Sequence, residues 1–326
     1  MRAYERLLNY VKVWTTSDEE STTSPTTARQ FDLAKLLLEE MKGMGIEDAM
    51  MDEYGYVYGH IPATPGYENC TAIGFLAHMD TAPDYSGENV NPQIIENYDG
   101  KDVVLGTSGR TLTVKDFPSL KNMTGKTLIT TDGTTLLGAD DKAGIAEIMT
   151  VAEELLKGDI PHGKVCLAFT TDEEVGSGAC HMDLERFGAP YAYTVDGGPE
   201  GEIQFENFNA ASAEFAIHGV NVHPGEAKDI MVNSMAIFME LQGMLPEQEA
   251  PEHTEGYEGF FHLMEMNGSV EETTMSYLIR EFDAEKYEAR KALMQEITAK
   301  INAKYGEGTV ELKLEDSYRN MREMIE

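Results

Sequence analysis

The sequence is poor in cysteine, in basic residues and in long apolar runs. It has 3 cysteines in 326 residues, an odd number without Cys-x-x-Cys spacing, which argues against a disulfide framework and against a cysteine-ligated zinc site. Its 25 lysines and arginines are outnumbered by 58 acidic residues, which gives a formal net charge of −33. A charge of that sign repels nucleic acid and anionic membranes, so we expect neither as a partner.

No segment approaches the roughly 20 continuous apolar residues that a membrane span requires. The N-terminal stretch MRAYERLLNYVKVW carries charges at Arg2, Glu5 and Arg6, which interrupt the apolar core that a secretory signal needs. We interpret it as an amphipathic helix. Together with the free cysteines, these features predict a soluble, cytoplasmic protein.

Up to about residue 198, short β-rich runs alternate with helical ones, which predicts an α/β domain whose mixed sheet is flanked by helices. Helices are expected over residues 28–45 and 143–158, each closed by glycine. Residues 83–133 are rich in glycine, asparagine, aspartate and proline. They predict a long loop with a small hairpin at the rim of a site.

After about residue 208 the pattern changes to β-α-β-β-α-β, the order of the ferredoxin-like split unit. We therefore predict a main domain over residues 1–208, a ferredoxin-like α+β domain over 209–318, and a return toward the main domain over 319–326.

Four stretches place histidine or acidic residues at the end of an apolar run. In the first, His78 and Asp80 follow residues 73–77, and the two-residue period of a strand puts both on one side. His78 can then ligate a metal while Asp80 orients its ring. The alternative is an ordinary surface turn.

In the second stretch, Asp140 and Asp141 precede the helix that opens near residue 143, with Gly138 and Gly144 allowing close backbone approach. A carboxylate at this position can bridge two cations. The alternative is a helix N-cap, the role that we assign to Asp141 rather than to Asp140.

The third and fourth stretches end in Glu173-Glu174 and in Asp196. Because adjacent side chains diverge, one glutamate can bind a metal while the other acts as general base, although a solvated charge cluster with Asp172 is the alternative. Asp196, before two glycines, suits a hard ligand or only a tight turn. Together the four stretches provide an oxygen-rich ligand set that suits two zinc ions, with manganese or cobalt as alternatives.

The chain resembles the M20 family of dinuclear zinc peptidases, and its tripeptide aminopeptidases in particular. The resemblance extends along the whole chain and is carried by HMDTAPDYSGENVNPQIIENY, TTDGTTLLGADDKAGIAEIMT, PHGKVCLAFTTDEEVGSGA, YAYTVDGG, QFENFNAAS, GVNVHPGEAK and EGYEGFFHL. It implies a zinc-peptidase catalytic domain with an inserted ferredoxin-like lid used for homodimer contacts. It also implies a short peptide as substrate and release of its N-terminal residue by zinc-activated water.

The resemblance implies a role for each site residue. His78 and Asp196 would bind one zinc, Glu174 the other, and Asp140 would bridge them. Glu173 would be the general base, and Asp80 would orient His78.

In the predicted lid, the resemblance makes His223 and Arg280 substrate contacts that bind the peptide carboxylate or polarise the scissile carbonyl. The alternatives are a plain turn histidine, and an arginine paired with Glu281 or Asp283.

The chain departs from the family pattern at its end. Where the family returns to the catalytic domain and adds an Arg-Gly-Gly segment and a final histidine ligand, this sequence stops at Glu326. We therefore expect one tightly held metal or none, and little or no peptidase activity unless His181 or a partner chain supplies the ligand. There are two alternative hypotheses: another M20 activity, such as that of a dipeptidase or an aminoacylase, and a catalytically silent metal-binding fragment.

Overall fold

The computed structural model describes residues 1–325 and divides them into two compact units, residues 1–199 and 200–325. Glu326, the last residue of the predicted return segment, lies outside the described residues. This division after residue 199 does not test the predicted domain boundary at residue 208, which stays a prediction. None of the helices within residues 1–325 is long and apolar enough to cross a membrane.

The first unit is an α/β structure. Its helices are α1 (Ala3–Tyr10), α2 (Gln30–Met44), α3 (Ala139–Leu156) and α4 (Leu184–Phe187). Its strands are β1 (Met50–Met51), β2 (Val57–Ile61), β3 (Ile73–His78), β4 (Pro92–Ile95), β5 (Val103–Val104), β6 (Thr111–Leu112), β7 (Leu128–Thr131), β8 (Val165–Thr170) and β9 (Ala192–Thr194).

The main sheet of this unit has the order β1-β2-β8-β3-β9 among the described residues. β1, β2 and β8 are antiparallel neighbours, whereas β8, β3 and β9 run parallel, so the sheet is mixed as predicted. Its main core is formed by buried apolar side chains of α2, α3 and the sheet, among them Leu33, Leu37, Ile145, Met149 and Phe169. Residues 83–133 contain the small antiparallel pairs β4-β7 and β5-β6.

The second unit has the predicted β-α-β-β-α-β order. Its elements are β10 (Asn209–His218), α5 (Ser234–Gln242), β11 (Phe260–Gly268), β12 (Glu272–Glu281), α6 (Ala284–Tyr305), β13 (Val310–Tyr318) and α7 (Arg322–Ile325). The antiparallel sheet has the order β11-β12-β10-β13 in the described chain. One face of it packs on α5 and α6 through side chains such as Phe215, Tyr277 and Ile297, as the two-residue burial period of β12 requires.

Candidate metal centre

Three of the four predicted positions lie at one edge of the main sheet. Glu173 and Glu174 follow β8, His78 ends β3, and Asp196 follows β9. These three strands are parallel neighbours, and the carboxyl ends of parallel strands meet at the same edge. The sheet topology therefore brings the three positions together.

Asp140 reaches this edge by a different route from the one expected. Strand β7 ends at Thr131, and residues 132–138 form a loop. Asp140 therefore does not follow a strand but lies at the start of α3. The glycine at position 144 permits the approach, since a Cβ there would lie 1.9 Å from the carbonyl oxygen of Val195. The first turn of α3 therefore packs against the end of β9.

The ring of His78 is held with Nδ1 toward Asp80 and with Nε2 toward the carboxylates of Asp140, Glu173 and Asp196. Its side chain is 2% exposed, and Nδ1 lies 3.0 Å from the carbonyl oxygen and 3.3 Å from the carboxylate of Asp80. Nε2 lies 2.9 Å from Asp140 Oδ1, 3.8 Å from Glu173 Oε2 and 3.9 Å from Asp196 Oδ2. His78 is thus the centre of the cluster.

The surroundings of His78 favour a positive charge. Burial alone lowers the pKa of the imidazole, but the hydrogen bond and charge of Asp80 and the charges of Asp141 and Glu173 raise it to about 10. The same negative surroundings would stabilise a metal cation at Nε2.

Four carboxylates surround Nε2, and we call them the open carboxylates: Asp140, Glu173, Glu174 and Asp196. The side chains of Asp140, Glu173 and Asp196 are 69%, 50% and 27% exposed. Burial raises the pKa of Glu173, Glu174 and Asp196, and neighbouring carboxylates raise it further while His78 lowers it. Such a group of like charges is relieved by a divalent cation.

Beneath them lie three buried carboxylates, Asp80, Asp141 and Asp172, which are 0%, 2% and 2% exposed. The oxygens of Asp80 accept hydrogen bonds from the backbone N–H groups of Glu173 (3.0 Å) and Glu174 (3.1 Å). Asp80 therefore contacts both His78 and the loop after β8.

Asp141 also accepts two backbone hydrogen bonds. Its Oδ2 accepts from the N–H of His78 at 3.1 Å, and its Oδ1 accepts from the N–H of Gly144 at 3.2 Å. The second contact is the one expected of a capping aspartate. Burial raises the pKa of Asp141 to about 8, although the charge of His78 opposes the shift.

Lys142 was not predicted as a residue of the site, and Asp172 was predicted only as a member of a charged cluster. Lys142 is 1% exposed, and its Nζ donates to the carbonyl oxygen of Val13 at 2.8 Å. Burial lowers its pKa to about 7 against the opposing charge of Asp80. A lysine at the start of a helix is usually solvated, so no sequence pattern indicated that Lys142 is buried. Asp172 could be recognised only as a third acidic residue beside Glu173 and Glu174.

The donors present fit a metal. Among the described residues, two groups have ligand atoms within 4.8 Å of one another: His78 with Glu173 and Asp196, and His78 with Asp140 and Glu174. One imidazole with several carboxylates is a hard donor set of the kind that divalent zinc, manganese or cobalt accepts. Glu173 lies as close to Nε2 as Asp196 does, so distance alone does not separate base from ligand.

His223 and Arg280 belong to the second unit. His223 lies in a turn, where its Nδ1 accepts from the N–H of Gly225 at 3.1 Å. Arg280, on β12, donates to the carbonyl oxygen of Ile279 at 3.0 Å, and its guanidinium lies 5.5 Å from the ring centre of Tyr318. Glu281, one partner considered for Arg280, pairs instead with Arg290 at 2.9 Å. The roles of His223 and Arg280 in substrate binding stay predictions.

Two family models match parts of the chain. The peptidase dimerisation domain matches residues 205–309, which contain most of the second unit. The M42 glutamyl aminopeptidase model matches residues 124–240, which include Asp140, Glu173, Glu174 and Asp196.

Curated relatives match almost the full chain. Peptidase T of Clostridium novyi (strain NT) is 56% identical over 323 residues, covering 98% of this chain and 79% of the relative. Peptidase T of Geobacillus thermodenitrificans (strain NG80-2) is 56% identical over 324 residues, covering 99% and 79%.

Solved structures agree in fold. The aminopeptidase PepT from Bacillus cereus ATCC 10987 superposes with a TM-score of 0.75 at 24% identity, covering 98% of this chain and 76% of its own. A Bacillus subtilis protein described as a dinuclear metal-binding peptidase of the M20 family superposes with a TM-score of 0.59 at 13% identity, covering 98% and 75%.

Proposed function

Because this chain belongs to the peptidase T family and has the fold of the M20 peptidases, we propose that it is a metal-dependent aminopeptidase that releases the N-terminal residue of tripeptides. The observation that carries the metal dependence is the convergence of one imidazole and the open carboxylates at the carboxyl edge of β8, β3 and β9. A surface cluster of acids would lack the buried, oriented histidine at its centre.

We assign two zinc positions to these residues. His78, Asp140 and Asp196 would hold one ion, and Asp140 and Glu174 would hold the other, the division that the family resemblance implies. A bound divalent ion polarises a carbonyl oxygen and makes a water molecule acidic. The donors for the first position include an imidazole; those for the second are carboxylates alone, so we expect the first to bind more tightly.

Glu173 is the general base of the proposal. Its side chain is half exposed and can reach a water, and its raised pKa brings the carboxylate closer to the range in which a base works well. It takes the proton of the attacking water and returns it to the amine that leaves. Asp80 keeps the ring of His78 oriented through Nδ1.

The substrate and assembly follow from the same assignment. The net charge of the chain, −33, is only partly reduced by two divalent cations, and it attracts the free ammonium of a short peptide. His223 and Arg280 are proposed to bind the peptide carboxylate or the scissile carbonyl. The match of residues 205–309 to a peptidase dimerisation domain supports a homodimer formed through the second unit. We place the enzyme in the cytoplasm, as the free cysteines suggest.

The test is release of the N-terminal amino acid from unblocked trialanine by the purified protein. We expect release, its loss after chelation of metal, and its return with zinc, manganese or cobalt. N-acetylated trialanine should not be cleaved, because the free amine is part of the recognised group.

The other arms of the assay separate the alternatives. Preference for dialanine or for N-acetylalanine over trialanine would indicate a dipeptidase or an aminoacylase. Binding of metal without cleavage of any of these compounds would indicate a silent metal-binding protein and would refute the proposed function.

A further inference from the structure

The loop that carries Glu173 and Glu174 is tied to the start of α2 by Asp172. The Asp172 carboxylate accepts hydrogen bonds from the backbone N–H of Thr26 at 3.0 Å and 2.9 Å, from its hydroxyl at 2.6 Å, and from Gln30 Nε2 at 2.6 Å. The N–H of Asp172 donates in return to Gln30 Oε1 at 3.1 Å. Gln30 and Asp172 therefore bind each other in both directions.

These hydrogen bonds between Asp172, Thr26 and Gln30 hold the loop in one conformation. Asp172 and Gln30 are 2% and 0% exposed, and a buried carboxylate is tolerated only when its oxygens are hydrogen-bonded. The backbone of Asp172 has a φ of 60°, in the left-handed region that residues other than glycine rarely adopt. Such a conformation persists where the surroundings fix it, and here the donors of Thr26 and Gln30 do so.

The residues after Asp172 close tightly around Glu173. The N–H of Gly176 donates to the carbonyl oxygen of Glu173 at 2.7 Å, and the N–H of Ser177 donates to that of Asp172 at 2.8 Å. A Cβ on Gly178 would lie 3.0 Å from both Cα and Cβ of Glu173. The position of the Glu173 backbone is thus set by Asp172 on one side and by Asp80 on the other.

We propose that Asp172, held by Thr26 and Gln30, is a positioning residue that fixes the general base Glu173 and the metal ligand Glu174 for the reaction. The inference rests on the proposed function. Since Asp172 is buried and its oxygens are occupied by these donors, it acts through the loop and not on substrate. A displacement of about 1 Å at a reacting group can cost as much as 100-fold in rate, which is the effect that the contact prevents.

A matched pair of variants at residue 26 tests this. Thr26→Val removes the hydroxyl that binds Asp172, whereas Thr26→Ser keeps it. Gln30→Met removes both the donor and the acceptor of the side chain at nearly constant size. We expect Thr26→Val and Gln30→Met to lower kcat on trialanine about 10- to 100-fold with KM within about twofold, and Thr26→Ser to match the parent.

Hydrogen exchange on the metal-free protein gives a second readout that needs no activity. We expect the amides of Glu173 and Glu174 to exchange faster in Thr26→Val and Gln30→Met, with the amides of β3 unchanged. Parental kcat in both variants, or faster exchange throughout the first unit, would overturn the proposal. If the parent itself cleaves no peptide, the proposed function fails, while parental exchange rates at Glu173 and Glu174 would still refute the positioning role.

Discussion

At two places in the sequence a buried carboxylate is the neighbour of an open one, and the two differ in almost every physical respect. Asp141 accepts two backbone hydrogen bonds and is 2% exposed, whereas the side chain of its neighbour Asp140 is 69% exposed and contacts His78. Asp172 is enclosed by donors of Thr26 and Gln30, whereas Glu173 beside it is half exposed.

The difference shows how the fold tolerates so much negative charge at one place. The buried carboxylates accept hydrogen bonds from the chain, which offset part of the cost of burying them and hold together the loops that meet there. The open carboxylates repel one another, and the contact of Asp140 with His78 offsets this repulsion only in part, so a bound cation stabilises them. The first set should therefore matter for folding and positioning, and the second for metal binding and chemistry.

The largest expected effect is on activity alone. Glu173→Gln removes the base from the open set without touching the buried set, so we expect the rate of trialanine cleavage to fall about 10²- to 10⁴-fold. Metal content and the free energy of unfolding should stay at the parental value. Glu185→Gln, on the exposed face of α4, is the control and should change neither. Loss of metal in Glu173→Gln would make Glu173 a ligand and move the role of base to Glu174.

We expect a smaller effect on the rate of cleavage when a buried carboxylate is changed. Asp80→Asn keeps the shape but gives only one acceptor oxygen to the N–H groups of Glu173 and Glu174. We expect activity or metal affinity to fall about 10- to 100-fold. Steady-state kinetics and metal titration measure this, and a variant equal to the parent in both would remove Asp80 from the site.

The smallest effect is expected outside both sets. His223→Ala and Arg280→Ala should change KM or kcat by about tenfold or less, because exposed or singly bonded contacts to a ligand contribute modestly. Metal content should not change in either variant. Parental kinetics in both variants would show that neither residue binds substrate.

Most of the fold was predictable because it depends on local patterns. The alternation of apolar and polar residues in β12 and the capping glycine at Gly45, with its φ of 98°, mark elements that the structure confirms. The order of the second unit follows from such signals. The open carboxylates could be identified because each lies at the end of an apolar run.

The rest depends on contacts between distant residues. The run at Leu136 resembles a strand but lies in a loop of the described chain, and α3 brings Asp140 to the site instead. The partners of Asp172 are separated from it by 142 and 146 residues, a distance at which the sequence gives no sign of pairing. The burial of Lys142 is hidden for the same reason.

Asp140 and Asp172 test the contrast most directly, by metal content and metal-free stability of Asp140→Asn and Asp172→Asn. We predict that Asp140→Asn loses bound metal while its free energy of unfolding without metal stays near that of the parent, since the lost attraction to His78 and the lost repulsion from the other open carboxylates oppose each other. Asp172→Asn should lose about 1–2 kcal/mol of that free energy, because one amide oxygen replaces two carboxylate oxygens that accept from Thr26 and Gln30. Equal loss of stability in the two variants, or full metal occupancy in Asp140→Asn, would contradict this account.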